Sequence, residues 1–235
     1  MSIAIDTTFD VYSDTPTNKD PDSHSPTLRL YHQVLWSKSL PDGSTFDLAT
    51  NSPKSYLQHH SRLGEFSLSS DSIGHTYKYV KAMSRIIQEM PEWEIDQFFS
   101  ICSTIGAYIV FPSRRIEGKP TINGARGLHS KIRDRFDLTL ECIRLHYQGE
   151  GSPLSETLAR YTDFFALFGS FEGYVDYFLL QDLVSKDGTS VSFFIPFRDF
   201  DGSPLPGNVY EYRSYKDSLV SFVIARNDRM ARMAI

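Results

Sequence analysis

The stretch GAYIVFP, from Gly106 to Pro112, constrains this chain more than any other. Its apolar run, Ala107 to Phe111, is too short for a helix and suits a strand buried on both faces. A loop rich in hydrogen-bond donors follows, Ser113 to Ser130, and then an amphipathic segment over 131–147. The apolar positions of that segment, Ile132, Phe136, Leu140, Ile143 and Tyr147, recur at steps of three or four. Ser130 stands where an N-cap residue would.

Charge sets the same region apart. Residues 111–135 hold seven Lys/Arg against two Asp/Glu, whereas the whole chain holds 24 against 29. A basic island of +5 therefore sits in a remainder of −10. The overall charge of −5 argues against coating of nucleic acid or anionic membrane by the whole surface. The island is the candidate site for an anionic or phosphate-bearing ligand.

Length and composition allow one sizeable core: 235 residues, 17 Phe and 13 Tyr. Only two cysteines occur, Cys102 and Cys142, both in apolar helix-like patterns, which reads as two buried thiols in a reducing compartment. The N-terminus MSIAIDTTFD has neither a basic nor an apolar signal-peptide region. No apolar run reaches the roughly 18 residues of a membrane span. The expectation is a cytoplasmic, bacterial-type protein with no membrane partner.

The pattern along the chain predicts an α+β fold, a mostly helical single domain over 1–235 with a small sheet. Alternation over 3–11 predicts a strand, and 13–26 reads as a polar loop. Ser25 and Pro26 look like N-cap and first residue of a helix holding Leu28, Tyr31, His32 and Leu35. Pro41-Asp42-Gly43 reads as a hairpin turn closing onto 45–48. Residues 49–62 stay unassigned, and 65–68 reads as a short strand. Helices are expected from Ser70 or Asp71 to Met90, after Pro91, from Ser152-Pro153 to Gly169, over 171–184 and over 209–232; 191–195 is expected as a strand.

Several side chains have the chemistry of a site. In the 113–130 loop, Arg114, Arg115 and Arg126 offer fork-shaped donors to phosphate, Thr121 and Asn123 add a hydroxyl and an amide, and His129 adds an imidazole. Gly124 and Gly127 suggest open space around Arg126, which makes it the centre of the expected cradle. The loop is neither GxxxxGK[ST] nor GxGxxG, so no nucleotide fingerprint applies. Asp20, Asp22 and His24 are cation-binding types but match no EF-hand, and His59-His60 lacks further ligands, so no metal site is expected. Glu172 and Asp176 share a helix face without basic neighbours, whereas Asp134, Asp137 and Glu141 lie among arginines that would pair with them. Arg226, Arg229 and Arg232 form a stripe that would complement a helix C-terminus.

The phrases DPDSHSPTLRLYH, LGEFSLSSDSI, TINGARG, IRDRFDLTLECIRLHY and YFLLQDLV resemble an uncharacterised bacterial family, a domain of unknown function, over nearly the whole chain. That resemblance implies no catalytic roles. Small cytoplasmic proteins of this sort are associated with toxin–antitoxin and antiviral (phage-defence) settings. Two functions remain as expectations. One is a nucleotide-using enzyme, in its sharpest form an ADP-ribosyltransferase moving ADP-ribose from NAD to a macromolecule such as nucleic acid. Glu172 and Tyr108 would be catalytic, and the arginines would hold the phosphates. A nuclease is a weaker version. The other is a non-catalytic protein that docks a nucleic acid or acidic protein partner through the 113–130 loop.

Overall fold

The computed structural model describes residues 4–50 and 57–233, and its architecture is α+β and mostly helical. Two short helices open it, α1 (Pro21–His24) and α2 (Pro26–Trp36). Strands β1 (Lys38–Ser39) and β2 (Thr45–Phe46) form the expected hairpin. Next come β3 (Ala49–Thr50), β4 (Leu57–Ser61) and β5 (Gly64–Ser72). Helices α3 (Ser84–Gln88) and α4 (Glu92–Cys102) precede β6 (Tyr108–Pro112). After it lie α5 (Ile122–Leu128), α6 (Phe136–Gln148), α7 (Ser155–Ala159), α8 (Thr162–Ala166), α9 (Phe171–Tyr177) and the long α10 (Val209–Arg232).

The larger sheet is antiparallel in the order β3-β4-β5-β6. All five residues of β6 are buried, as the apolar run predicts. Its pairing with β5 sets Ser70 opposite Val110 and Asp71 opposite Ile109, which draws two polar residues of β5 into the interior. Helix α10 packs against α4 and the turn at 105–107, and α1 packs against β5. One buried apolar cluster joins residues from Val11 to Met230. Aromatic rings dominate it: Phe168–Tyr177 and Tyr174–Phe178 each stand 4.9 Å apart, a spacing that favours edge and tilted ring contacts.

Local signals place several elements correctly. Ser25 caps α2 by accepting from the Leu28 amide, and Asn208 caps α10 in the same way at Glu211. Other expectations need correction. Residues 4–11 form turns, not a strand, because Asp6 accepts from the Thr8 amide and Asp10 from the Tyr12 amide, so side chains replace a ladder. Residue 3 lies outside the described residues, as do 51–56 of the unassigned stretch. The loop 13–26 contains α1. No helix begins at Ser70; β5 runs through Ser72, irregular chain follows, and helical structure starts only near Lys81. The expected helix 131–147 starts at Phe136, because Arg133 (φ +48°) and Asp134 (φ +61°) take left-handed conformations that end any earlier turn. The 152–169 segment splits into α7 and α8, and 171–184 breaks at Leu179 (φ +56°). Val191 makes only an isolated bridge to Val184.

Candidate functional site

The structure does not gather the expected cradle in the 113–130 loop. Much of that loop is α5, whose first amides are capped by Thr121 accepting from Gly124. Arg126 is 1% exposed. Its Nη1 donates to Asp71 at 2.9 Å and to the Ser72 carbonyl at 3.0 Å, its Nη2 to the Asp134 carbonyl at 2.7 Å and its Nε to Thr139 at 3.2 Å. Gly127 is small because the Asp134 carboxylate would lie 3.0 Å from any Cβ there, so the open space expected around Arg126 is filled. Arg126 is a structural knot between β5, α5 and α6 and has no face for a ligand. Arg114 and Arg115 are exposed, Asn123 and His129 are partly buried, and the His129 Nδ1 accepts from the Lys131 amide.

The other acids near this region are paired, as expected: Arg135 with Asp137 in the interior, and Arg144 with Glu141 at 2.7 Å. The stripe on α10 is different. Arg229 pairs with Asp182, but Arg226 is fully buried and donates to the carbonyls of Phe178, Gly106 and Tyr108. The two residues expected to be catalytic lie apart. Tyr108 borders a cavity between α1, β5 and α4, whereas Glu172 lines a separate groove with Asp176 and Lys38.

The cavity at Tyr108 holds about 340 Å³ and is the best candidate site. Its wall includes Asp22, Ser72, His75 and Tyr108. Its rim includes Tyr12, Tyr79 and Phe99, three of the large apolar side chains that the protein leaves exposed, with Tyr79 at 94%. Lys19, Asp20 and Lys78 add charge at the mouth. Exposed rings around a polar pocket are what an aromatic ligand needs for stacking.

Each wall residue is held for an identifiable reason. Gly74 permits the chain to pass α4, since a Cβ there would sit 2.6 Å from the Cys102 Sγ. The following loop is pinned from α10: the Tyr215 hydroxyl donates to the His75 carbonyl and the Tyr212 hydroxyl to the Thr76 carbonyl. Tyr77 turns the loop with φ +57°, a strained value for a bulky residue, and is locked by its hydroxyl donating to the Arg133 carbonyl. The Tyr77 amide donates to Nδ1 of His75, so the neutral imidazole carries its hydrogen on Nε2. Burial, with a smaller contribution from Arg126, keeps the His75 pKa below its ordinary value; Asp134 opposes them.

Asp22 is the unusual group. Its Oδ1 is sealed from solvent and has no hydrogen-bond partner. Burial raises its pKa well above the ordinary carboxyl value, and the charges of Asp71 and Asp20 raise it further. Ser70 and Arg126 pull the other way. Behind Ser70 runs a short relay. The Trp36 indole donates to Nδ1 of His32 at 3.0 Å, which leaves the hydrogen on Nε2 facing the Ser70 hydroxyl at 2.9 Å. Burial, then Arg226, lowers the His32 pKa to about 3, so the ring stays neutral and its tautomer is fixed. Asp22 therefore has an environment that favours the protonated acid over the carboxylate. Burial pushes the Cys102 thiol up, which makes it a poor nucleophile.

Sequence reasoning missed Tyr12, His75 and Lys78, and it weighed Asp20 and Asp22 only as cation ligands. The dense HTYKY phrase at 75–79 was the available signal. Among the described residues no group of three His, Cys, Asp or Glu side chains could hold a metal ion.

Fold and site together define an α+β, mostly helical domain with an aromatic-rimmed polar cavity. Residues 5–230 match the Family of unknown function (DUF6994), and the chain belongs to that family. No curated protein and no solved structure matches the chain. Among the described residues no helix is long and apolar enough to cross a membrane.

Proposed function

We propose that the protein is an enzyme acting on a nucleotide in the Tyr108 cavity, at the bond between sugar and base. One observation carries this reading: the Asp22 carboxyl, with its buried, unpartnered Oδ1 and raised pKa, lies in the wall of a cavity whose rim combines stacking rings with two lysines. Tyr12, Tyr79 and Phe99 would stack the base, and Lys19 and Lys78 would meet the phosphates. Asp22 would protonate the departing base as the C1′–N bond breaks with its electron pair going to nitrogen. Asp20, exposed at the mouth, would stabilise the oxocarbenium ion, which water or another acceptor then attacks.

ADP-ribosyl transfer from NAD shares that oxocarbenium ion. Its leaving group, nicotinamide, is cationic at the ring nitrogen and departs without a proton, so it would need Asp20 but not the acid form of Asp22. Incubation with AMP, ATP and NAD, followed by chromatography of the released base, separates the two forms. Asp22→Asn should abolish release of adenine and spare release of nicotinamide. Lys19→Ala combined with Lys78→Ala should weaken binding of every nucleotide. Wild type that neither binds nor turns over any of the three would overturn the proposal.

A second reading has its own support. Arg114, Arg115 and Arg133 are exposed, and none forms an ion pair among the described residues. Exposed arginines of this kind suit an acidic protein segment or a phosphate backbone bound without turnover. Salt-dependent binding lost in Arg114→Ala/Arg115→Ala, with no product formed, would favour it.

A further inference from the structure

The groove beside α9 holds a chemistry that the nucleotide cavity does not use. Lys38, Ser170, Glu172, Asp176 and Tyr177 line a groove of about 500 Å³. The Lys38 Nζ lies 4.6 Å from the centre of the Tyr177 ring and 5.2 Å from that of Trp36. The Arg226 guanidinium lies 5.5 Å from the same indole. Two cations therefore flank one buried ring.

Arg226 is fully buried, its bonds run to carbonyl oxygens, and its Nη2 has no hydrogen-bond partner. Among the described residues neither Arg226 nor Lys38 has a carboxylate within ion-pair distance. The positive charge of Arg226 thus acts on Lys38 without a counter-ion between them. Burial, and then Arg226, lowers the Lys38 pKa to about 8, while Asp176 pulls it upward. A partly desolvated amine beside a fixed cation is an established way to make lysine nucleophilic.

We propose that this groove is a second site, in which the Lys38 amine forms an imine with the carbonyl carbon of a small uncharged aldehyde or ketone. The nitrogen lone pair attacks the carbonyl carbon, and the C=O π pair moves to oxygen. A proton passes from nitrogen to that oxygen to give the carbinolamine. The carboxylate of Asp176 or Glu172 takes the nitrogen's remaining proton and passes it to the hydroxyl, which leaves as water as the C=N bond forms. Amine and carbonyl thus give imine and one water, with no oxidant or reductant. An uncharged ligand fits because the two carboxylates at the groove repel anions.

Glycolaldehyde with sodium cyanoborohydride tests this on the intact protein, since reduction traps the imine as a stable secondary amine. Peptide mass spectrometry then reads each lysine and separates the N-terminal amine. At pH 7.5 Lys38 should be labelled ~10-fold or more faster than exposed Lys81 and Lys186, because an ordinary lysine titrates near 10.4. Its rate should reach half its maximum near pH 8. Asp176→Asn should move that half-point downward, because it removes the charge that favours the ammonium form. Lys38 labelled no faster than Lys81, or a profile unmoved by Asp176→Asn, would overturn the proposal. Lys38→Arg should abolish labelling on that peptide alone and leave the melting temperature within a few degrees.

Discussion

Replacing Arg126 with alanine should cripple stability rather than ligand binding. The arginine holds Asp71 at 2.9 Å, and the two side chains are 1% and 5% exposed. Removing it strands a buried carboxylate and leaves the carbonyls of Ser72 and Asp134 without their donor. Breaking a buried pair from one side costs about 3–5 kcal/mol. For a chain of this size that corresponds to a fall in melting temperature of roughly 6–20 °C.

The loss should also depend on pH. Burial raises the Asp71 pKa to about 6 even though Arg126 opposes the rise. Without Arg126 the value must climb further. Below about 6 the carboxyl is protonated in both proteins and the charge on Arg126 matters least. As pH rises past that value the wild type ionises beside its partner, while the variant must either hold its proton or bury a lone charge. The stability difference therefore grows from pH 5 to pH 8. Urea unfolding followed by the fluorescence of Trp36 and Trp93 measures it at both pH values. A loss under about 1 kcal/mol at both, or one larger at pH 5, would refute the structural role of Arg126.

Two further outcomes follow from the cavity wall. Asp22 has a folded-state pKa raised above its unfolded value, so the folded protein retains a proton that the unfolded chain gives up above about pH 4, and stability declines as pH rises from there. Asp22→Asn should flatten that decline above about pH 4 in thermal melts; an unchanged slope would show that Asp22 is ionised like any surface carboxylate. Gly74→Ala should cost about 1–3 kcal/mol through collision with the Cys102 Sγ, and Cys102→Ala in the same chain should recover part of it. A Gly74→Ala variant as stable as wild type would mean that the 73–80 segment has room to shift.

Much of the fold is readable from residues close together in the chain. The Ser25-Pro26 cap, the 41–43 turn, the apolar faces of α4 and α10 and the buried β6 depend on spacing within a few residues, which sequence displays directly. The helix expected from Ser70 failed for the opposite reason. Its first three residues, Ser70 to Ser72, pair with β6 almost forty positions away, and that ladder outweighs local propensity there. The turns over 4–11 show a third case, in which alternation mimics a strand while Asp6 and Asp10 satisfy the backbone from their own side chains.

The site divides along the same line. The sequence determined where the positive charge is concentrated, which segments are apolar and that two aspartates stand near α1. Whether an arginine meets a ligand or a carboxylate was decided only by tertiary structure, because a guanidinium suits phosphate and Asp71 equally and burial depends on what packs over it. Arg126 and Arg226 turned inward, Arg114 and Arg115 stayed outside, and no local pattern distinguishes them. The cavity is likewise a product of packing: it joins residues 12–22, 72–79 and 99–108, and its acid owes its raised pKa to burial and neighbouring charges that only the folded chain brings together.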